Sequence, residues 1–335
     1  MQSILVTGGA GFIGSSFVRY MLNKYFNYRV IVLDSLTYAG NLANLKEFEK
    51  NNRFVFLYGD IKDEKAVDNA VRNSDIIINF AAETFVDRSI HGASDFIHTD
   101  VYGTYILLEA VKKYNIERYI QVSTDEVYGS IDSGSFCETS NIAPNNPYSA
   151  SKAGGDMMVR SYFITYKAPV IITRASNNFG PYQFPEKLIP LFVTNAIDDL
   201  KLPLYGDGSN IRDWLYVIDH CKAIDIVLHK GTEGEVYNIG GGNELTNLEI
   251  TKFILNYLNK PDTLIQKVQD RLGHDKRYSV NSTKIKSLGW EPSANFESTL
   301  RDTIEWYVKH EDWWRALKEK NRAFKEFYQK NYKPL

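Results

Sequence analysis

Six short, nearly continuous apolar runs dominate the first half of the chain. They are Ser3-Ile4-Leu5-Val6, Arg29-Val30-Ile31-Val32-Leu33, Phe54-Val55-Phe56-Leu57, Ile76-Ile77-Ile78-Asn79-Phe80, Tyr119-Ile120-Gln121-Val122 and Val170-Ile171-Ile172-Thr173. Branched residues fill consecutive positions instead of alternating with polar ones, as in strands buried on both faces. Stretches of helical periodicity separate them; in the first, Phe17, Met21 and Tyr25 recur every fourth residue. Strand, helix, strand in repetition predicts a parallel sheet wrapped by helices on both sides. The pattern weakens after about Phe179, where Pro181, Pro185, Pro190 and Pro203 break the chain into short pieces. From about Asn295 a charged, aromatic stretch reads as helices, with Trp306, Trp313 and Trp314 expected to serve helix packing.

The first run leads into Gly8-Gly9-Ala10-Gly11-Phe12-Ile13-Gly14. Small residues there allow a tight turn and let a pyrophosphate approach the backbone at a helix N-terminus. Two glycine spacings fit, 9/11/14 and 8/11/14. Asp34 closes the second run, near the ~20 residues downstream expected of a carboxylate that takes ribose hydroxyls. No Arg or Lys follows it in Ser35-Leu36-Thr37-Tyr38, so the cofactor expected is NAD rather than its 2′-phosphorylated form. Asp60-Ile61, at the end of the third run, reads equally as an adenine contact or as a plain strand end. The fold predicted is α/β: a Rossmann-type doubly wound parallel sheet with a smaller, mixed C-terminal substrate domain.

Composition narrows the partners. Of 335 residues, 39 are Lys or Arg and 41 Asp or Glu, a net charge of −2, which gives no electrostatic reason to expect nucleic acid or an anionic membrane. No stretch approaches the ~18 apolar residues of a membrane span, and the start of the chain reads as a strand rather than a signal peptide. Two cysteines and six scattered histidines lack metal-ligand or disulfide spacing, so no metal is expected. The expected setting is cytoplasmic.

Tyr148 and Lys152 lie one helical turn apart and share a face. A tyrosine of pKa ~10 is a poor base, but a neighbouring ammonium and the positive charge of an oxidised nicotinamide favour its phenolate. The pair fits removal of a proton from a sugar hydroxyl as hydride leaves the same carbon. Upstream, Ser123-Thr124-Asp125-Glu126 follows the fifth run, at the carboxyl end of the expected sheet, where ligands bind. Adjacent acids repel, and in unlike environments they can divide into proton donor and acceptor. The plain alternative is a strand-end turn with solvated acids.

These residues together resemble the extended short-chain dehydrogenase/reductase family and, within it, the branch of dTDP-glucose 4,6-dehydratases. The likeness runs nearly end to end, through Ala81-Ala82-Glu83, Val86-Asp87-Arg88-Ser89-Ile90, Thr124-Asp125-Glu126, Asn177 to Gln183, Glu186 to Pro190, Gly206-Asp207-Gly208, Arg212-Asp213-Trp214 and Gly273-His274-Asp275. The resemblance implies an internal redox cycle. Tyr148, helped by Lys152 and Thr124, takes the carbon 4 hydroxyl proton while NAD takes hydride; Glu126 removes the carbon 5 proton; Asp125 protonates the departing carbon 6 hydroxyl; hydride returns to carbon 6. It implies NAD contacts at Gly8, Gly11, Phe12, Ile13, Gly14, Asp34, Ser35, Leu36, Thr37, Asp60, Ile61, Phe80, Ala81, Ala82, Thr84, Thr99, Tyr148, Lys152 and Asn178. It implies nucleotide-sugar contacts at Thr84, Thr124, Asn177, Lys187, Leu188, Pro203, Tyr205, Arg212, Asn247, Arg271, His274 and Tyr278, with Arg212 and Lys187 on the diphosphate.

Two positions depart from that branch: Phe85 stands where His is usual, and Leu272 where Pro is usual. Expected domains are an NAD-binding unit over 1–180, with a segment near 212–240 returning to it, and a mainly nucleotide-sugar-binding unit over 181–335. Residues 100–115 and 148–166 read as long helices, with Val101, Tyr105, Leu108 and Val111 among their apolar positions; the resemblance implies a homodimer packed through them. Alternatives are a 4-epimerase, a decarboxylase or a UDP- or CDP-glucose dehydratase of the same fold, none but the last needing both acids, and a non-catalytic NAD-sensing protein, a class that usually lacks the Tyr/Lys pair.

Overall fold

The computed structural model describes residues 1–292, 295–320, 324–326, 328 and 332. The six apolar runs form strands β1 (Gln2–Thr7), β2 (Tyr28–Asp34), β3 (Phe54–Tyr58), β4 (Ile76–Asn79), β5 (Arg118–Thr124) and β6 (Val170–Ala175). A seventh strand, Val236–Ile239, joins β6, and the sheet order is then β6, β5, β4, β1, β2, β3, all parallel. Successive side chains of a strand point to opposite faces. Thus Ile4, Val6, Val30, Val32, Ile76 and Ile78 enter one core, and Leu5, Ile31, Leu33 and Ile77 enter another. Two cores, one on each face, account for the unbroken apolar runs.

Helices Phe12–Lys24 and Val217–Lys230 cover the first face with Phe17, Met21, Ile224 and Val227. Glu64–Val71, Thr104–Tyr114 and Pro147–Tyr166 cover the second. The last of these starts where Asn146 Oδ1 accepts the Ser149 N–H (2.9 Å), with Pro147 in the first turn, where a missing N–H costs nothing. Tyr25, expected to continue the first helix, sits just beyond it in extended backbone, its hydroxyl on Asp225.

A third core, of Phe179, Phe192, Trp214, Ile254, Leu300, Ile304, Tyr307 and Trp314, lies between helices Leu188–Ile197, Asn247–Tyr257 and Phe296–Lys309. Trp306 packs on Tyr182 (4.6 Å) and Trp313 (5.2 Å). Pro190 does not break the chain: it occupies the first turn of Leu188–Ile197, where its lack of an N–H is tolerated. Strand Ile211–Tyr216 pairs with Asn177–Phe179 and Glu244–Thr246 in a separate small sheet, whereas Val217–Lys230 and Val236–Ile239 pack with the first core and main sheet.

The helical stretch expected over 100–115 begins in a π-helical segment, Ile97–Gly103, followed by Thr104–Tyr114. Helix Pro147–Tyr166 lies tightly against that segment because Gly154 and Gly155 carry no side chain; a Cβ on Gly155 would stand 2.7 Å from the Asp100 carbonyl oxygen. Gly155→Ala is expected to force these helices apart and to cost about 1–3 kcal/mol, read as a lower midpoint in denaturant unfolding.

Candidate active site

The order of the sheet reverses between β1 and β4, and a cleft opens beyond their carboxyl ends, as parallel sheets of this topology provide. Its floor is the turn Gly8–Gly11. Gly8 has φ +67°, and a Cβ there would lie 2.6 Å from the Ala81 nitrogen; one on Gly14 would lie 2.3 Å from the Gly8 carbonyl oxygen. Gly9 faces Val32 in the core instead, so it is the 8/11/14 spacing that lines the cleft. No side chain caps helix Phe12–Lys24 at its N-terminus, which leaves its first N–H groups and positive dipole end for an anion. Asp34 Oδ2 accepts the Ala10 N–H (2.9 Å) and Oδ1 the Leu36 N–H (2.8 Å). Burial pushes its carboxyl up, and those two donors pull it back. The tight glycine turn, the uncapped helix and the fixed carboxylate fit a dinucleotide.

At the inner end of this cleft β5 gives way to the 3-10 turn Asp125–Tyr128, capped by Thr124, whose Oγ1 accepts the Glu126 N–H (3.3 Å). The adjacent acids stand in different surroundings. Asp125 is buried; its Oδ1 accepts the Thr124 hydroxyl (3.4 Å), and its Oδ2 has no partner among the described residues. Burial, then Glu126 and Asp213, push its carboxyl well above the usual range, favouring the protonated form. Glu126 Oε2 accepts from Ser149 Oγ (3.3 Å) and Tyr278 OH (3.4 Å). The Tyr148 hydroxyl is hydrogen-bonded to Thr124; burial, Glu126 and Asp100 hold its pKa well above 10. Lys152 Nζ donates to the Val122 carbonyl (3.0 Å). These surroundings favour the protonated phenol.

A second cleft meets the first at Glu126, Asn177, Asn178, Gln183 and Lys187. Three cations converge on it. Arg212 donates to the carbonyls of Ile211 (2.7 Å) and Asp275 (3.0 Å) and lies 4.4 Å over the Tyr278 ring. Arg271 pairs with Asp87 (3.6 Å), its Nε without a partner among the described residues. Lys187 Nζ donates to the Thr84 carbonyl (2.6 Å). Burial lowers the proton affinity of both Lys187 and Arg212, a cost that a bound anion would offset. His274 is held by Asp270 (2.5 Å), and burial, with Arg271 and Arg212, lowers its pKa to about 4, so it is neutral at pH 7.

A model of the family described as GDP-mannose 4,6 dehydratase matches residues 5–303. The chain belongs to that family. Among its relatives, the dTDP-glucose 4,6-dehydratase of Streptomyces niveus is 49% identical over 325 residues, 96% of this chain and 97% of its own. The low-salt glycan biosynthesis protein Agl12 of Haloferax volcanii is 52% identical over 307 residues, 92% of this chain and 99% of its own. The crystal structure of dTDP-glucose 4,6-dehydratase from Streptomyces venezuelae with NAD bound, 52% identical, superposes with a TM-score of 0.92 over 94% of this chain and 100% of that one.

As in any member of the 4,6-dehydratase family, the residues singled out in sequence must converge to act. Gly8, Gly11, Phe12, Ile13, Gly14, Asp34, Ser35, Thr37, Asp60, Ile61, Phe80, Ala81, Ala82, Thr84, Thr99, Tyr148, Lys152 and Asn178 line the first cleft, with Thr124, Asp125 and Glu126. Leu36 does not: its backbone is left-handed (φ 50°) and its side chain packs on the first core. Asn177, Lys187, Leu188, Pro203, Tyr205, Arg212, Asn247, Arg271 and His274 line the second. Tyr278 lies behind it, buried under Arg212, and Thr84 belongs to the first cleft. Of the two departures, Phe85 forms part of the second cleft's wall beneath the Lys187 ammonium (4.6 Å), and Leu272 is exposed.

Sequence reasoning did not assign Lys62, Glu83, Gln183 or His220, which also line the first cleft. Glu83 and Gln183 fall inside the quoted runs. Lys62, paired with Asp60 (3.3 Å), and His220, whose Nδ1 meets Asn178 Oδ1 (2.9 Å), carry no pattern of their own. Tyr278→Phe is expected to leave buried Asp275 Oδ2 without its 2.5 Å donor and to cost about 1–3 kcal/mol, measured by denaturant unfolding against the parent.

Proposed function

We propose that this chain is an NAD-dependent dTDP-glucose 4,6-dehydratase, converting dTDP-glucose to dTDP-4-keto-6-deoxyglucose and water. The observation that carries the reading is the pair of unlike acids, Asp125 and Glu126, beside Tyr148 where two clefts meet. The roughly half-identical dTDP-glucose dehydratases support the substrate.

The Gly8–Gly14 turn would hold the cofactor pyrophosphate, Asp34 a ribose, Asp60 and Ile61 the adenine, and Thr99, Asn178 and the Phe80–Ala82 segment the remainder. When bound, NAD would supply positive charge beside the phenol and a reversible acceptor for the hydride that moves from sugar carbon 4 to carbon 6. Lys187, Arg212 and Arg271 neutralise the substrate diphosphate, with Leu188, Pro203, Tyr205, Asn247 and His274 along the same cleft. Tyr148, with Thr124 and Lys152, accepts the proton of the carbon 4 hydroxyl. The resulting ketone acidifies carbon 5, and Glu126, held by Ser149 and Tyr278, accepts that proton. Asp125, kept protonated by burial and its acidic neighbours, gives its proton to the carbon 6 hydroxyl, which leaves as water; as hydride returns to carbon 6, Glu126 gives carbon 5 a proton exchanged with solvent, and Tyr148 and Asp125 regain their starting states through solvent. An epimerase has no leaving hydroxyl and needs neither acid.

We also propose a homodimer formed through helices Thr104–Tyr114 and Pro147–Tyr166. What supports it is exposed apolar surface on both: Tyr105, with Tyr102 in the π-helical segment just before it, on one side, and Met157, Ile164 (53% exposed) and Tyr166 on the other. Leu108 and Val111, in contrast, are core. Among the described residues no helix is long and apolar enough to cross a membrane; unpaired Cys137 and Cys221 suit the cytoplasm.

Incubation with dTDP-glucose is expected to yield a product lighter by one water by mass spectrometry, with UDP- and CDP-glucose poorer substrates; no loss from any of the three overturns the reading. Glu126→Gln should slow water loss by about 10²–10⁴-fold and suppress solvent deuterium uptake at carbon 5. Ile164→Glu should convert the dimer to monomer in sedimentation velocity, and an unchanged dimer would place the interface elsewhere.

A further inference from the structure

Asp100 is a buried carboxylate to which the reaction above gives no task. It lies in the π-helical stretch Ile97–Gly103, only 1% exposed; such stretches recur at functional sites. Its Oδ2 accepts the Ser151 hydroxyl (2.6 Å) and its Oδ1 the Glu83 N–H (3.1 Å). Ser151 sits between the tyrosine and the lysine, and its hydroxyl also reaches the Tyr148 carbonyl (2.8 Å). Gly155 lets the two helices close until Asp100 lies against the turn that carries both residues. A carboxylate so deep, with no cation bonded to it directly among the described residues, is expensive to keep unless its charge acts on something.

The groups facing it are few. Lys152 faces it from helix Pro147–Tyr166 and favours its ionised form. Tyr148, on the same helix, feels its charge together with those of Glu126 and Asp125. Glu83 faces it from the segment after β4, and Asp95 and Lys62 act in turn on Glu83. Burial raises Asp100 to about 6 against the pull of Lys152, and burial with Asp100 and Asp95 raises Glu83 to about 7.

We propose that Asp100 is a positioning residue of the reaction, its buried carboxylate, tied through Ser151 to the Tyr148–Lys152 turn, acting when ionised as the counter-charge that sets the pH range in which that pair exchanges protons. The inference rests on the roles given above to Tyr148 and Lys152. The negative charge opposes the phenolate and supports the ammonium. An uncharged isostere therefore lowers the proton affinity of both groups.

The test uses the NAD-loaded protein and two readings. One is the tyrosinate absorbance of Tyr148, taken as the difference between each protein and its Tyr148→Phe counterpart through a pH titration. The other is the pH profile of dTDP-glucose dehydration. Asp100→Asn keeps an acceptor for Ser151 and Glu83 but removes the charge; it should lower the tyrosine midpoint by on the order of one pH unit and move both limbs of the profile to lower pH. Ser151→Ala, which keeps the charge but removes the donor that partly neutralises it, should move the midpoint the opposite way by less, and is the variant read if Asp100→Asn does not fold. Unmoved midpoint and limbs in active protein overturn the inference. A lowered midpoint in protein that does not dehydrate dTDP-glucose overturns the proposed function and leaves the role of Asp100 standing.

Discussion

The near-contact between the backbones of Gly8 and Ala81 is the constraint from which the rest of the molecule follows. β1 and β4 run side by side, and the chain leaves their carboxyl ends in opposite directions. Only a residue without a Cβ fits where the two exits pass, because Gly8 has a left-handed backbone and a Cβ on it would stand 2.6 Å from the Ala81 nitrogen. That approach aims the N-terminus of helix Phe12–Lys24 into the cleft and brings Phe80–Ala82 opposite it. Helices cover both faces of the sheet, and polar chemistry collects in the cleft beyond its carboxyl ends.

Polar groups so collected are held away from water, and desolvation governs their behaviour. It is the foremost cause raising Asp125, Tyr148 and Asp100, and the foremost lowering Lys187, Arg212 and His274. In each case the neutral form gains, and a ligand bearing the opposite charge reverses the balance. A diphosphate among Lys187, Arg212 and Arg271, or a cationic ring near Tyr148, would therefore be bound and would switch on the site in the same act. Asp125 Oδ2, Asn177 Oδ1 and Arg271 Nε, without partners among the described residues, carry the same tension.

The sheet was legible because burial on both faces leaves a local imprint: every residue of Ile76–Ile77–Ile78 had to be apolar, whichever side it faced. The glycine turn and the Tyr148/Lys152 spacing were legible because each depends on neighbours within one or two helical turns. The choice between two glycine spacings was not, since only the position of Val32, across the sheet, shows that Gly9 faces the core. Pro190 misled for a related reason: proline breaks a helix interior but not its first turn. His220 and Asp100 gave no local sign, because their partners, Asn178 and Ser151, are joined to them by the fold rather than by spacing. The second cleft drew its outline from family resemblance, since its cations come from three separate loops and strands.

The division of the two acids depends on residues outside the sheet that presents them. β5 ends in Thr124 and delivers Asp125 and Glu126 as neighbours, which alone would make them a repelling pair. Asp213, from the small sheet, is one of the charges that keep Asp125 protonated, while Tyr278, from the loop beyond Arg271, bonds Glu126. In strand Ile211–Tyr216 alternate residues point to opposite faces, so Arg212 serves the anion cleft and Asp213 stands on the other side, itself buried and fixed by the Asn243 N–H (2.8 Å). A single short strand thus couples substrate charge to the protonation of the acid. On the proposed roles, hydride chemistry would belong to the large sheet, and whether water is lost would be decided by what the smaller part of the chain places behind those two carboxylates.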